Sequence, residues 1–543
     1  MSALLDYLAC VRSSKEGLGE RDEGTGARVR HQLDPVLSRP SPLSSIPSFD
    51  AGSEDLATIT PAVWRAVLAR NDPPRLFRFG AIPSRLEEDD NGAPALRPLT
   101  PARARHEMVR SAHWFKWAKR GGESVELASY PSRAVVDDFL ATPNSELPVL
   151  TRIVQSPTFA PDGTLHREPG YNASTKVFYH CGPGFEVPTI AETPRADEVA
   201  NAVQLLSQDL LGDFPFVGAA EKATALAALI LPFVRDMIPG PTPIHLLEKS
   251  TPGTGATLLA DCLTFPALGR PLVAMTEGRD EDEWRKRLLA KLRGAPAAVN
   301  IDNVRRPLDS AALSSVLTAY PLWEDRLLGM SEIVGVPVRC LWLVTGNNPS
   351  LSNEVARRTI RCRLDAKTDR PWLRTGFRHP DIRAWMVQNR GRLVGAILTI
   401  VRAWLTRGRP EGKRILGMFE AWSRVMGGLL ENAGVPGFLE KLDEFYEQTD
   451  PHGACWRAFV LLWWEKFADG EKGVADLWPV AQEAGLDLGD GQERSQRTRL
   501  GKMLGSNRDR VFDLHTGAGP IRLRVEKAGT SQRAALWTVR RLK

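Results

Sequence analysis

The 543-residue chain has little cysteine and no grouping of it. Its six cysteines (Cys10, Cys181, Cys262, Cys340, Cys362 and Cys455) stand far apart, with no Cys-x-x-Cys pair and no Cys/His set at ligand spacing. That excludes a structural zinc module and a disulfide framework, so the thiols are expected reduced and mostly buried. Long hydrophobic runs are missing too. No stretch of about 18 apolar residues offers a membrane span, and the amino terminus lacks the basic start and the apolar length of a secretion signal. The chain therefore reads as cytoplasmic, with no membrane partner. An excess of one charge is also lacking: 71 Lys and Arg against 65 Asp and Glu leave +6, and only the distribution of that charge along the chain is informative.

What is present is length beyond a single apolar core, so several domains are expected. Residues 1–60 are rich in Gly, Pro, Ser and charge and read as a mostly flexible segment. Residues 61–190 mix strand-like pieces such as 75–79 with helical ones over 100–119 and 132–141, which predicts an α+β accessory domain. From 191 to 370, helical spacing gives way to β-rich runs at 244–247, 297–301 and 339–345 separated by helical stretches, the pattern of a parallel α/β sheet. Residues 371–472 read as a helical, tryptophan-bearing lid. Residues 473–543 read as helices followed by a β-hairpin (521–525 and 536–539), a winged-helix-like arrangement.

One missing lysine matters more than any other absence. After the apolar run Ile244-His-Leu-Leu247 comes a Gly-rich turn that opens a helix: Lys249, Ser250, Thr251, Pro252, Gly253, Thr254, Gly255, Ala256 and Thr257. Backbone N–H groups of such a turn, with the helix N-terminus behind them, make an anion cradle. The phosphate-loop pattern G-x-x-x-x-G-K-[ST] is met at Gly255 and Thr257, while Ser250 replaces its first glycine and Ala256 its lysine. Lys249 is the nearest substitute cation. Without the ammonium, ATP affinity and transition-state stabilisation should both fall.

Two further elements follow in order. Residues 297–303 (Ala-Ala-Val-Asn-Ile-Asp-Asn) look like a strand ending in the carboxylate that, with Thr257, holds Mg²⁺; Asn303 stands where a water-activating glutamate is common. Residues 340–348 (Cys-Leu-Trp-Leu-Val-Thr-Gly-Asn-Asn) end in a polar tip, where Asn347 or Asn348 would align water. Arg357 and Arg358 lie on a short helix before the next strand, and with Arg326 they are the arginines able to act as a finger toward a neighbouring subunit. From Glu493 onward thirteen Lys and Arg face four carboxylates, a local charge of +9. Arg494, Arg497, Arg499 and Lys502 on a helix, and Arg522 and Arg524 on the hairpin, are the expected phosphate contacts of a nucleic acid. The helical spacing of Trp456, Trp463, Trp464 and Trp478 favours core packing over base stacking.

In order and spacing, these segments resemble the helicase-like P-loop ATPases of phages, plasmids and integrated elements, relatives of AAA+ and viral superfamily-three helicases that often accompany primases. Residues 159–166 with Gly170 and Tyr171, 213–216, 377–380 and 416–422 share the likeness. The resemblance implies a central parallel-sheet ATPase core that uses ATP and Mg²⁺, acts on DNA in replication of a mobile element, forms a homo-oligomer such as a ring, and works with a primase partner. Asp302, Asn303, Asn347 and Arg358 would be its catalytic residues. The departures at Ser250 and Ala256 keep a second reading open, a non-catalytic replication initiator or regulator whose DNA binding is gated by nucleotide.

Overall fold

Three apolar runs, each buried on both faces, build the centre of this molecule. The computed structural model describes residues 46–543 except 91, 144, 328–332, 517, 518, 532, 533 and 543. Contacts divide the chain after Pro47, and the unit Ser48–Lys543 carries every element named below. Most of the segment read as flexible, residues 1–45, lies outside the described residues; its last part is structured, with a strand at 48–50 and a helix from 56. No helix among the described residues is long and apolar enough to cross a membrane.

The first part contains β1 (Ser48–Asp50), α1 (Leu56–Ala69), β2 (Leu76–Phe79), β3 (Ile82–Glu88), β4 (Pro94–Pro98), α2 (Pro101–Ser111), β5 (His113–Arg120), β6 (Glu123–Ala128), α3 (Arg133–Ala141) and β7 (Val149–Leu150). Strands pair in the orders β4-β3-β2-β7 and β1-β5-β6. The helix expected over 100–119 ends at Ser111. Thr100 caps its start by accepting from Arg103 N, but from His113 onward the chain alternates: Trp114 turns into the core of α1, α2 and α3, its neighbours turn out, and β5 pairs with β6. Burial of the Trp114 ring and pairing with β6 overrode a composition that tolerates helix.

The central sheet is formed by β8 (Ile244–Lys249), β9 (Ala274–Met275), β10 (Ala298–Val304), β13 (Leu341–Asn347) and β14 (Thr359–Leu364), after α4 (Ala219–Val234). Between these strands run α5 (Ala256–Leu268), α6 (Glu281–Leu292), α7 (Ala311–Thr318), the hairpin of β11 (Leu322–Arg326) and β12 (Ile333–Pro337), and α8 (Asn353–Ala356). All five strands are parallel in the order β9-β10-β13-β8-β14. Parallel strands are buried on both faces and read as continuous apolar runs. Accordingly Leu247, Leu343, Cys362 and Leu364 pack with α4, α5 and α9 (Ile382–Thr406) on one face, while Ile244, Leu246, Trp342 and Val344 pack with α6 and α7 on the other. Phe77, Phe79, Leu96 and Leu150 of the first part join that second layer. Cys262, Cys340 and Cys362 are buried, and burial pushes the Cys340 thiol up to about 12.

The chain arrives at this sheet and leaves it at one place. Phe216 bridges to Leu364, Asp365 N donates to Pro215 O at 2.8 Å, and Arg374 Nη2 donates to Asp213 O at 2.9 Å. The Asp213 carboxylate also accepts from Arg378 N at 2.8 Å.

After α9 come α10 (Glu420–Asn432), α11 (Leu442–Thr449) and α12 (Pro451–Phe467), then α13 (Val474–Glu483), α14 (Glu493–Ser506), β15 (Val511–Thr516), β16 (Gly519–Ser531) and β17 (Ala534–Leu542). The last three strands are antiparallel and share an apolar core with α12, α13 and α14. Trp456 and Trp463 are fully buried in it, which makes them packing residues.

Candidate nucleotide-binding site

Ligands of open α/β sheets lie beyond the carboxyl ends of the strands where the strand order reverses. Here that place is the end of β8, which has β13 on one side and β14 on the other. Residues 250–255 turn there and lead into α5. Gly253 (φ +83°) and Gly255 (φ +102°) adopt the left-handed conformation that a side chain resists, and a Cβ on Gly253 would stand 3.1 Å from the Trp372 ring. Thr254 is buried, and its hydroxyl donates to Thr251 O at 2.5 Å. Pro252 is exposed at the tip.

Both neighbouring strands pin the stem of this loop. The amide nitrogen of Asn347 donates to the carbonyls of Lys249 and Ser250, each at 2.9 Å, and Asn348 N donates to Lys249 O at 3.1 Å. From the other side Ser250 N donates to Leu364 O, and the Ser250 hydroxyl to Asp365 Oδ1, both at 3.4 Å. Asn347 is thus spent on the backbone of the loop, and Asn348 lies 3.5 Å from Arg363 Nη2.

At the mouth of the loop, Thr257 Oγ1 donates to Asp302 Oδ1 at 3.0 Å. Thr345 Oγ1 donates to the same oxygen at 2.7 Å and accepts from Asn303 N at 2.7 Å. This arrangement needs a break in regular pairing: the register of β10 against β13 shifts between Ile301 and Val304, and Asn303 takes φ +55°. Asparagine is among the few side chains that tolerate that region. Thr345 was not singled out from the sequence, because its role depends on β13 lying beside β10, which spacing does not reveal.

Ala256 is buried as the first residue of α5 and presents only a methyl group. Lys249, at the end of β8, and Arg363 are cations at the stem of the loop. The latter is register-paired across β14 with the buried Glu248 and bonded to it at 3.0 Å, with Arg361 3.6 Å from the same carboxylate. Sequence reasoning missed both Glu248 and Arg363, since only the β8–β14 register brings them together.

The arginines expected as fingers sit away from this loop. Arg358 is mostly buried and turned back on α8, donating to Glu354 O at 2.6 Å and to its carboxylate at 2.8 Å. Arg357 pairs with the same carboxylate and lines a cleft with Tyr446, Arg457 and Arg510. Arg326 lies on the β11–β12 hairpin. Of the carboxy-terminal residues, Arg497 pairs with Glu493 and lies over the Trp478 ring; Arg499 pairs with Asp487 and Arg522 with Asp513, both at 2.8 Å; Arg524 pairs with Glu526. Arg494 and Lys502 form no ion pair among the described residues.

The residues present fit a magnesium nucleotide in all respects but one. A hydroxyl and a carboxylate are the hard oxygen donors Mg²⁺ takes, and the glycine turn at a helix N-terminus suits phosphate oxygens. The lysine is the missing part.

No protein-family model and no curated protein sequence matches the chain. Among solved structures, it is similar to the apo A form of the NrS-1 C-terminal region at 13% identity, over 78% of this chain and 99% of that one, with a TM-score of 0.36. It is similar to an active helicase, SCCmec type IV Cch, at 12% identity over 70% and 76% with a TM-score of 0.28, and to the JCV helicase at 15% over 44% and 67% with a TM-score of 0.18. Likenesses at this level assign no function to the chain.

Proposed function

We propose that the chain binds ATP with Mg²⁺ at the carboxyl end of β8 and works as a helicase-like ATPase on DNA. One observation carries this reading: the Thr257 hydroxyl and the Asp302 carboxylate, 45 residues apart, meet at 3.0 Å beside a glycine turn at the switch point of a parallel sheet. In this reading Thr257 and Asp302 hold the metal, which when bound offsets phosphate charge. The backbone of Pro252, Gly253, Thr254, Gly255 and Ala256 cradles the phosphates, and Lys249 or Arg363 supplies the cation that Ala256 lacks. Asn303 orients water, Asn347 holds the loop, and Arg326, Arg357 or Arg358 acts toward a neighbouring copy in a homo-oligomer. Arg494, Arg497, Arg499, Lys502, Arg522 and Arg524 contact phosphates of DNA, and a primase is the expected partner in replication of a mobile element. The divisions at 60, 190, 370 and 472 belong to the same proposal.

The absent ammonium favours a second reading, a nucleotide-gated DNA-binding initiator or regulator with no turnover. Calorimetric titration of ATP with and without Mg²⁺ tests the site. Wild type is expected to bind only with the metal, and Asp302→Asn and Thr257→Val to lose that dependence; binding equal in all three, or in none, rejects it. ATP turnover with single-stranded DNA then separates motor from regulator.

A further inference from the structure

The hairpin of β5 and β6, far along the chain from the loop and from the basic carboxy terminus, carries a row of rings that no role above uses. His113, Phe115 and Trp117 occupy alternate positions on one face of β5, opposite to that of the buried Trp114. Their centroids are 6.3 Å apart (His113 to Phe115) and 5.6 Å apart (Phe115 to Trp117). Trp117 is 58% exposed, and Tyr130, just beyond β6, is 65% exposed with the Arg105 guanidinium 5.9 Å above its ring. An exposed tryptophan in a row of rings beside cations is a surface that folding alone does not require.

Charge says what covers it. Lys119 lies on the ring face of β5, Lys116 and Arg120 lie on its reverse face at the same exposed end of the hairpin, and Arg105, at the Tyr130 ring, and Arg110 face solvent on α2, next before it. None of these five forms an ion pair among the described residues. The carboxylates on the hairpin are Glu123, near its turn, and Glu126, which stands opposite Trp117 and is held 3.6 Å from His113 Nδ1. Cations therefore outnumber carboxylates, and all five are unpaired.

We propose that this face binds single-stranded nucleic acid, with unpaired bases stacking on Trp117 and Tyr130 and with Lys119 and Arg105 meeting phosphates beside the rings, while Lys116 and Arg120 add positive charge from the reverse face of the same hairpin. Rings along a strand recur about every 6.6 Å, a spacing that successive bases of an extended strand can match. Stacking uses faces that a duplex hides, so single strands are preferred and sequence matters little. The site is independent of nucleotide binding at β8.

The test uses the full chain and a fluorescein-labelled oligothymidine of about 16 nucleotides, read by anisotropy across a salt series. Trp117→Ala should weaken single-strand binding at least about fivefold and leave binding to a duplex of that length unchanged. Trp117→Phe should restore most of the loss. Replacing Lys119 and Arg105 together by Gln, which leaves every ring in place, should flatten the log–log salt slope by about one to one and a half units. Wild-type affinity and slope in both variants, equal losses on single strand and duplex, or no single-strand binding by the full chain would each overturn the proposal. A changed sedimentation coefficient of Trp117→Ala with single-strand binding intact would overturn it in favour of a contact between copies of this chain.

Discussion

At the scale of single residues, Asn303 shows how chemistry and conformation compete for one position. Its left-handed backbone is what brings its N–H to Thr345 and leaves the Asp302 carboxylate facing Thr257. Asn303→Gly should hold stability within a few tenths of a kcal/mol, whereas Asn303→Ala should lower it by about 1 kcal/mol, the scale of strain at positive φ. Urea midpoints of the two variants check this, and an Ala variant as stable as the Gly one would remove the conformational argument. Ala256 is the second telling residue. Ala256→Lys should raise ATP turnover at least about tenfold, because an ammonium on the phosphates restores a kcal/mol or more of transition-state stabilisation. If turnover stays at the wild-type value while the thermal melt is unchanged, the cation is already supplied from elsewhere, and Lys249→Ala and Arg363→Ala then show from which side chain.

At the scale of elements, β8 carries a histidine where one face of the sheet is fully closed. His245 is buried, its ring 5.8 Å from that of Trp422, and burial pushes its imidazole down to about 3. The unfolded chain protonates this group near its ordinary value of 6.5, and the folded one does not until about 3. Stability from this residue is therefore complete above the unfolded value and lost as pH falls between the two, at up to about 1.4 kcal/mol per pH unit. In His245→Leu that part of the acid dependence should vanish, measured as denaturant midpoints at about pH 7, 5 and 4; an unchanged slope would mean other groups govern acid unfolding.

The same elements show what a sequence discloses. The central strands were legible because burial on both faces leaves unbroken apolar runs, and the loop because glycines, a hydroxyl and a carboxylate fall in a set order. Thr345, Glu248 and Arg363 were not, since each owes its place to which strand lies beside which. Strand β5 was misread as the end of a helix because its local composition tolerates either state until Trp114 has a core to enter.

At the scale of the whole molecule, the basic carboxy-terminal part has an apolar core of its own, separate from those on either side of the parallel sheet. Deleting residues 473–543 should weaken DNA binding and reduce its salt dependence, close to one unit of slope on duplex for each phosphate contact removed. With four of the six expected contact arginines and lysines already paired to carboxylates of their own region, Arg494 and Lys502 should contribute most of what is lost. A truncated chain with the affinity and slope of the full one would move the contact to the β5–β6 face or the parallel-sheet core.

The meeting of arriving and leaving chain at Asp213, Pro215 and Phe216 also has a mechanical meaning. The Arg374 and Arg378 bonds to Asp213, the Phe216–Leu364 bridge and the Asp365 bond to Pro215 tie the segment before α4 to the segment after β14. Leu364 and Asp365, which carry this seam, also bond Ser250 in the stem of the glycine loop. The seam thus works as a clasp: opening it loosens β14, an edge strand with a single neighbour, and with it one side of the glycine loop, while β10, β13 and β8 keep their own pairing.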